Sequence, residues 1–336
     1  MTGIGVIGCG YWGPNIIRNF NETQESRVEV LCDLDSARLQ SMARKYYIPA
    51  TTQNYKELIA NPKVNAVAIV TPVSTHYSLA KEALEAGKHV WIEKPMSASV
   101  EEAEELIEIA QRKGKIIFVD HTFIYNGSVR KMKEIIDSGV LGQIYYFDSV
   151  RVNLGLFQKD INVVWDLAPH DISIMDYLLG KEAVSVSAQG VSHVVDSMAD
   201  IAYISVKFEG SLIAHFHVNW LAPTKIRLIQ IGCSNKMLVY DDMDPAEKIK
   251  VYDKGVDIKA ADKDGIYNAL IQYRLGDMYA PRVDLSEALA VACKHFLSCV
   301  KKEQKPITDG AAGLNVVRIL EATDHSIRAE GATIRL

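Results

Sequence analysis

Apolar residues along this chain follow two rhythms, and the change from one to the other falls near residue 120. Ile4-Gly5-Val6-Ile7 is a short apolar run that leads directly into a glycine cluster, after which Ile16, Ile17 and Phe20 sit at helical spacing. A second apolar run covers 28–32 and ends at Asp33. Helical patterns over 36–46, 55–60, 75–86 and 100–113 then alternate with apolar runs over 64–70, 89–92 and 115–120. The run at 64–70 is almost unbroken, as expected of a strand covered on both faces. Gly87 and Gly114 stand where two of the helical patterns stop. Strands alternating with helices in this way predict a doubly wound parallel sheet.

Beyond residue 120 strands dominate. A helix is expected over 129–138, an edge or antiparallel strand over 142–153, and a helix over 163–179. Alternating segments at 184–195, 201–208, 211–219, 226–233 and 237–241 predict an antiparallel sheet, with Glu209-Gly210 as a hairpin turn. Helices over 285–301 and 311–328 close the chain. The expected organisation is an α/β amino-terminal domain over 1–122 and an α+β domain over 123–336, the last helices packing back on the first domain.

Composition narrows the partners. A chain of 336 residues is long for one core and suits two domains. The 48% hydrophobic and 24% charged composition is that of a soluble globular protein, and a net charge of −5 argues against nucleic acid as a partner. No apolar run reaches the roughly 18 to 20 residues of a membrane span, and the first strand starts too early for a signal peptide. The five cysteines are scattered without CxxC spacing. The reading is a cytoplasmic protein without disulfides and without a metal site.

Three stretches carry chemistry. The first is Gly8-Cys9-Gly10-Tyr11-Trp12-Gly13 between a strand and a helix, with Asp33 twenty residues beyond Gly13. Gly8 permits the tight turn, Gly10 lets the backbone approach a pyrophosphate, and Gly13 allows close helix–strand packing. Pro14 fits the first helical turn, and Asp33 would accept from the adenosine ribose hydroxyls and repel a 2′-phosphate, favouring NAD over NADP. Arg38 is expected to lie too far along the next helix to change that. Tyr11 and Trp12 lie in the same loop.

The second group sits at later strand ends, where ligands of open parallel sheets bind. Thr71-Pro72-Val73-Ser74-Thr75-His76 offers hydroxyls and backbone groups before a helix that Thr75 is placed to cap, and His76 would lie near the cofactor. In Glu93-Lys94-Pro95 the ammonium of Lys94 would point into the crevice and stabilise developing negative charge, while Glu93 would pair with it or meet the nicotinamide ribose. The third is Trp165-Asp166-Leu167-Ala168-Pro169-His170-Asp171, in which Asp166 and His170 share a helix face. A carboxylate beside an imidazole suits proton transfer; metal binding would need a further ligand, and Asp171 points elsewhere.

Together these stretches resemble the glucose–fructose oxidoreductase / inositol dehydrogenase / MocA-like (Gfo/Idh/MocA) oxidoreductases, over essentially the whole chain. The resemblance implies an amino-terminal Rossmann domain and a carboxyl-terminal α+β domain with a large open antiparallel sheet, which often forms the contact of a homodimer or homotetramer. It implies that Lys94 and His170 match the catalytic lysine and histidine and that Asp166 matches the acid before that histidine. Many members carry an acid three residues after the histidine, where this chain has Ser173. The implied chemistry is oxidation of a secondary sugar alcohol by NAD.

The wording of the glycine loop, of 71–76 and of 165–173 is similar to a branch of UDP-N-acetylglucosaminuronate 3-dehydrogenases linked with surface-polysaccharide sugars. On that resemblance Arg151, Asn153 and Lys159 would meet a uronate or diphosphate, with Tyr125, Asn126, Trp220, Tyr273 and Arg274 as further pocket candidates. A free-sugar or cyclitol dehydrogenase, or a non-catalytic NAD-binding sensor, would keep the same fold.

Overall fold

The computed structural model describes residues 1–155, 157, 160–196, 198–259 and 270–336. The chain divides into two compact units, Met1–Asn126 with Ser286–Glu321, and Gly127–Leu285 with Ala322–Leu336.

The first unit runs β1 (Thr2–Ile7), α1 (Gly13–Glu22), β2 (Ser26–Cys32), α2 (Ser36–Tyr46), β3 (Ala50–Thr52), α3 (Tyr55–Ala60), β4 (Ala66–Ile69), α4 (His76–Glu85), β5 (His89–Ile92), α5 (Val100–Lys113) and β6 (Ile117–Val119). Its six strands are ordered β3-β2-β1-β4-β5-β6 and all pair in parallel. The strand order reverses between β1 and β4, which is where a doubly wound sheet opens a crevice. Every residue of β1 and β4 is buried, as the unbroken apolar runs require when helices cover both faces. Local signals end the helices where expected: Ser99 caps α5 by accepting from the Glu102 N–H, and Gly114 follows it in the left-handed conformation at φ 61°.

The second unit contains α6 (Gly127–Asp137), β7 (Ile144–Leu154), α7 (Val163–Leu179), β8 (Ala183–Val191), β9 (Ile201–Phe208), β10 (Ile213–Asn219), β11 (Leu221–Cys233), β12 (Met237–Asp241), β13 (Ile249–Lys259) and β14 (Leu270–Tyr279). The chain ends with α8 (Ala288–Val300), α9 (Gly310–Arg328) and β15 (Ile334–Arg335). The large sheet has nine strands in the order β14-β13-β12-β11-β7-β10-β9-β8-β15, mostly antiparallel.

Three expectations change here. The strand over 142–153 is not an edge: β7 is the central strand, parallel to β10 and antiparallel to β11. Its alternation arises because Phe147, Ser149 and Arg151 turn to the covered face while the intervening residues are only half-buried. The strand begun at Ala183 stops at Val191, short of 195, because the buried Asp200 carboxylate accepts the His193 and Val194 N–H groups at 2.7 and 3.0 Å. β13 and β14 were not expected; charged residues such as Lys250, Asp253 and Lys254 break the apolar pattern that marks a strand.

No helix among the described residues is long and apolar enough to cross a membrane, and no group of three or more His, Cys, Asp or Glu among them is placed to hold a metal ion.

Candidate active site

The glycine loop is built by its backbone. Gly8 has φ +98°, and a Cβ there would stand 2.1 Å from the Val70 carbonyl oxygen; one on Gly13 would stand 2.6 Å from the Gly8 carbonyl oxygen. Gly10 is different: a Cβ on it would meet no atom within 4 Å. Gly10 thus faces open space, which leaves its backbone accessible to a pyrophosphate. Pro14 lies in the first turn of α1, whose amino end follows the loop directly. Tyr11 is 89% and Trp12 37% exposed beside it.

Asp33 at the end of β2 is tied into the same loop. Its Oδ2 accepts the Cys9 N–H at 2.7 Å and its Oδ1 accepts the Asp35 N–H at 2.9 Å, which leaves each oxygen a further lone pair for a ribose hydroxyl. Arg38 is nearer than its sequence position suggests. Because Asp35 caps α2, Arg38 falls in the first turn and brings Nη1 to 3.6 Å from Asp33 Oδ2. Cys9 is inert: burial, then Asp33 nearby, pushes its thiol up to about 12. The glycine loop and the Asp33 carboxylate fit NAD, and the Arg38 guanidinium, the group that would otherwise meet a 2′-phosphate, is turned to Asp33 instead.

The ends of β4, β5 and β6 form the rest of the first unit's site. Thr75 does not cap α4 with its side chain; its hydroxyl lies 2.7 Å from Thr71 Oγ1 and 2.8 Å from the Pro72 carbonyl. His76 is 1% exposed, with Nδ1 2.8 Å from the Pro95 carbonyl and Nε2 2.8 Å from the Thr71 carbonyl. Both ring nitrogens are engaged with backbone, so the expected cofactor contact gives way to a brace between the two loops. Lys94 follows Glu93 at the end of β5, and the Lys94–Pro95 peptide is cis.

Next to them lies a cluster that strand-by-strand reading missed. Asp120, at the end of β6, is 2% exposed and accepts from Thr122 Oγ1 at 2.6 Å. The Asp120 N–H donates to the Ile92 carbonyl at 2.8 Å, which sets its carboxyl beside that of Glu93. Burial, then the Asp120 charge, holds the Glu93 carboxyl well above the usual carboxylate range; burial also raises Asp120 despite donors from Glu93, Thr122 and Trp12. His121 is 1% exposed and kept neutral, burial and then Lys94 drawing it down to about 3. The signal that would have found Asp120 is its position, an acid closing a parallel strand as Asp33 and Glu93 do.

In the second unit, α7 carries Asp166 and His170 one turn apart. Asn162 caps it, accepting from the Val164 and Trp165 N–H groups at 3.0 and 3.2 Å. Pro169 lies inside the helix, which continues through it to Leu179. The Trp220 indole N–H donates to Asp166 Oδ2 at 3.1 Å from a fully buried ring, so one oxygen of the acid is held in place. The Ser173 hydroxyl donates to the His170 carbonyl at 2.8 Å.

Residues 2–121 match the model described as "Oxidoreductase family, NAD-binding Rossmann fold", and 129–239 match the "GFO/IDH/MocA C-terminal domain". The chain belongs to the Gfo/Idh/MocA oxidoreductase family. Over 93% of each chain it is 28% identical to the UDP-N-acetylglucosamine 3-dehydrogenase of Acidithiobacillus ferrooxidans. A solved structure of that protein superposes with a TM-score of 0.80 at 26% identity, covering 97% of each chain. The myo-inositol 2-dehydrogenase of Thermotoga maritima is 27% identical over 56% of this chain and 58% of its own. An uncharacterized oxidoreductase of Bacillus subtilis, YrbE, is 28% identical over 62% of this chain; the match spans 64% of its length, just under two thirds.

Within this Gfo/Idh/MocA chain two substrate expectations are corrected. Arg151 is 3% exposed, with Nε 2.9 Å from Asp171 Oδ2 and Nη2 2.6 Å from Asp171 Oδ1, while Ser149 Oγ donates to the same carboxylate at 2.8 Å. It is a buried strut between β7 and α7, closed to a uronate or diphosphate. Tyr125 is 3% exposed, its hydroxyl 3.1 Å from Thr308 Oγ1 and its ring stacked on Phe118, so it belongs to the first unit's core. Asn153 is half-buried near the end of β7, and Asn126 is half-buried as well. Lys159 lies outside the described residues. Arg274 is bound to Asp253 and the Asn235 carbonyl, while Tyr273 is 74% exposed.

Proposed function

We propose that this chain is an NAD-dependent dehydrogenase that oxidises C3 of a UDP-N-acetyl-aminosugar uronate, UDP-N-acetyl-2-amino-2-deoxyglucuronate, in surface-polysaccharide biosynthesis. The observation that carries the dehydrogenase reading is Lys94 at the carboxyl end of β5, in the sheet whose β1 end forms the open glycine loop. The 28% identity to a UDP-N-acetylglucosamine 3-dehydrogenase across 93% of both chains supports the nucleotide sugar.

Each group has a defined task. Gly8, Gly10 and Gly13 with the start of α1 receive the pyrophosphate, and Asp33 the adenosine ribose. Thr71, Pro72 and Thr75 border the site, and Glu93 and Lys94 stand at the nicotinamide half. Bound NAD supplies the acceptor for the hydride that leaves the substrate carbon with its electron pair. His170 takes the proton of the same carbon's hydroxyl, so the alcohol becomes a ketone with two hydrogens accounted for. Lys94 hydrogen-bonds the reacting oxygen and offsets its developing negative charge. Asp166, held by Trp220, orients the substrate hydroxyls and His170.

A free sugar or inositol is the second reading, favoured by the likeness to myo-inositol 2-dehydrogenase. NADH formation with a panel of UDP-sugars, their uronates, free hexoses and inositols separates the two. Reduction with a UDP-uronate alone supports the nucleotide sugar, reduction with unphosphorylated polyols alone rejects it, and tight NAD binding without reduction favours a sensor. Homo-oligomers are part of the proposal: Tyr203, Ile213 and Ile226 expose 40% or more of their surface on one face of the large sheet. Light scattering tests this.

A further inference from the structure

The ends of β5 and β6 contain more buried acid than the dehydrogenase chemistry uses. Ile92 and Val119 are register partners, so the residues that follow them, Glu93 and Asp120, are neighbours across the two strand ends. Glu93 Oε1 and Asp120 Oδ2 are both fully buried, and the interaction that faces Glu93 from Asp120 is that of one carboxyl with the other. Asp120 Oδ1 is already satisfied by Thr122. Two carboxylates brought together without water cannot both be ionised at modest cost, whereas a carboxylic acid and a carboxylate satisfy one another through one proton.

We propose that Glu93 and Asp120 share a single proton and release it when the cationic nicotinamide of oxidised NAD binds over the ends of β5 and β6. This deepens the NAD-dependent reading and rests on it. In the empty protein the pair carries one negative charge against the ammonium of Lys94. Arrival of a second cation makes the fully ionised pair affordable, and the proton leaves to solvent. Reduced NAD has a neutral ring and draws no proton from the pair. The pair thereby favours the oxidised cofactor, and takes the proton back from solvent once the ring's charge is gone.

The groups that face the pair narrow the source of the proton. His121 is neutral because burial holds it down to about 3, and burial pushes Tyr125 and Cys293 up, keeping both protonated. Thr122 and Trp12 only donate. His76, whose ring braces the Thr71 and Pro95 carbonyls, and the neutral His121 are further ionisable side chains beside Lys94 and the pair at these strand ends.

Calorimetric titration of the full chain with NAD⁺ and with NADH, in buffers of unlike ionisation enthalpy at about pH 7.5, counts the protons directly. The expected result is release of roughly 0.3 to 1 proton with NAD⁺ and close to none with NADH. Affinity for NAD⁺ should correspondingly rise about three- to thirtyfold between about pH 6.5 and 8, with NADH nearly flat. Asp120→Asn and Glu93→Gln should each lose the difference in proton count between the two nucleotides, whatever the change in affinity. A merely structural role would weaken both nucleotides alike and leave the count unchanged. Equal counts for the two nucleotides in the unaltered protein, or a difference that survives in both variants, overturns the proposal. The first comparison needs no variant and stands even if the substitutions prevent folding. Failure of both nucleotides to bind would instead overturn the cofactor reading, and the proposal with it.

Discussion

Replacing Arg151 by Met distinguishes a strut from a ligand contact. Arg151 and Asp171 are 3% and 2% exposed, joined by two nitrogen–oxygen contacts at 2.9 and 2.6 Å, with Ser149 completing the carboxylate's shell at 2.8 Å. Burial alone would draw the guanidinium's pKa down, yet Asp171 outweighs it and the pKa is raised. Arg151→Met removes the charge and both donors while keeping most of the volume. It leaves Asp171 buried with only a serine hydroxyl, and breaking such a pair from one side costs about 3–5 kcal/mol. The double change Arg151→Met/Asp171→Leu removes both charges and should recover most of that loss, since an apolar pair of similar size replaces a buried ion pair at little cost. Urea unfolding of the two single variants and the double variant measures the coupling. Asp171 follows His170 on α7, so the single variant should also lower kcat. The reasoning is refuted if Arg151→Met changes stability by less than about 1 kcal/mol while raising KM for an anionic sugar tenfold or more.

Other expectations follow from the same structure. Lys94→Ala and His170→Ala should each lower kcat by about 10²–10⁴ while changing NAD affinity less than tenfold, as stopped-flow turnover and NAD titration would show. Gly13→Ala places a Cβ 2.6 Å from the Gly8 carbonyl and should weaken NAD binding at least about tenfold, read by calorimetry. Acid should destabilise the protein through His89, which burial, then Lys115 and Lys302, draws down to about 4. In the unfolded chain it titrates at about 6.5, so between those values the unfolded state binds more protons and stability falls as pH falls. His89→Gln should flatten that part of the stability–pH curve; an unchanged slope would exclude His89 as its origin.

What this sequence determines alone is whatever depends on local geometry. The glycine loop, the cap of α5 and the left-handed Gly114 are written in a few consecutive residues, because backbone conformation and hydrogen bonding over one turn decide them. The alternating pattern through residue 120 likewise marks the parallel sheet, since continuous apolar runs suit only strands covered on both faces. The strand ends could therefore be found, and with them Asp33, Glu93 and Lys94. Asp166 and His170 share a face because a helix has a fixed period. Partnership across strands is another matter. Glu93 meets Asp120, Asp166 meets Trp220, and Arg151 meets Asp171 through sheet register and helix packing, which no local period encodes. The central place of β7 and its parallel pairing with β10 depend on the same long-range register. Tertiary structure thus decided which charges are buried together, and burial is what turns a carboxylate from a solvated surface group into a strut or a holder of a proton.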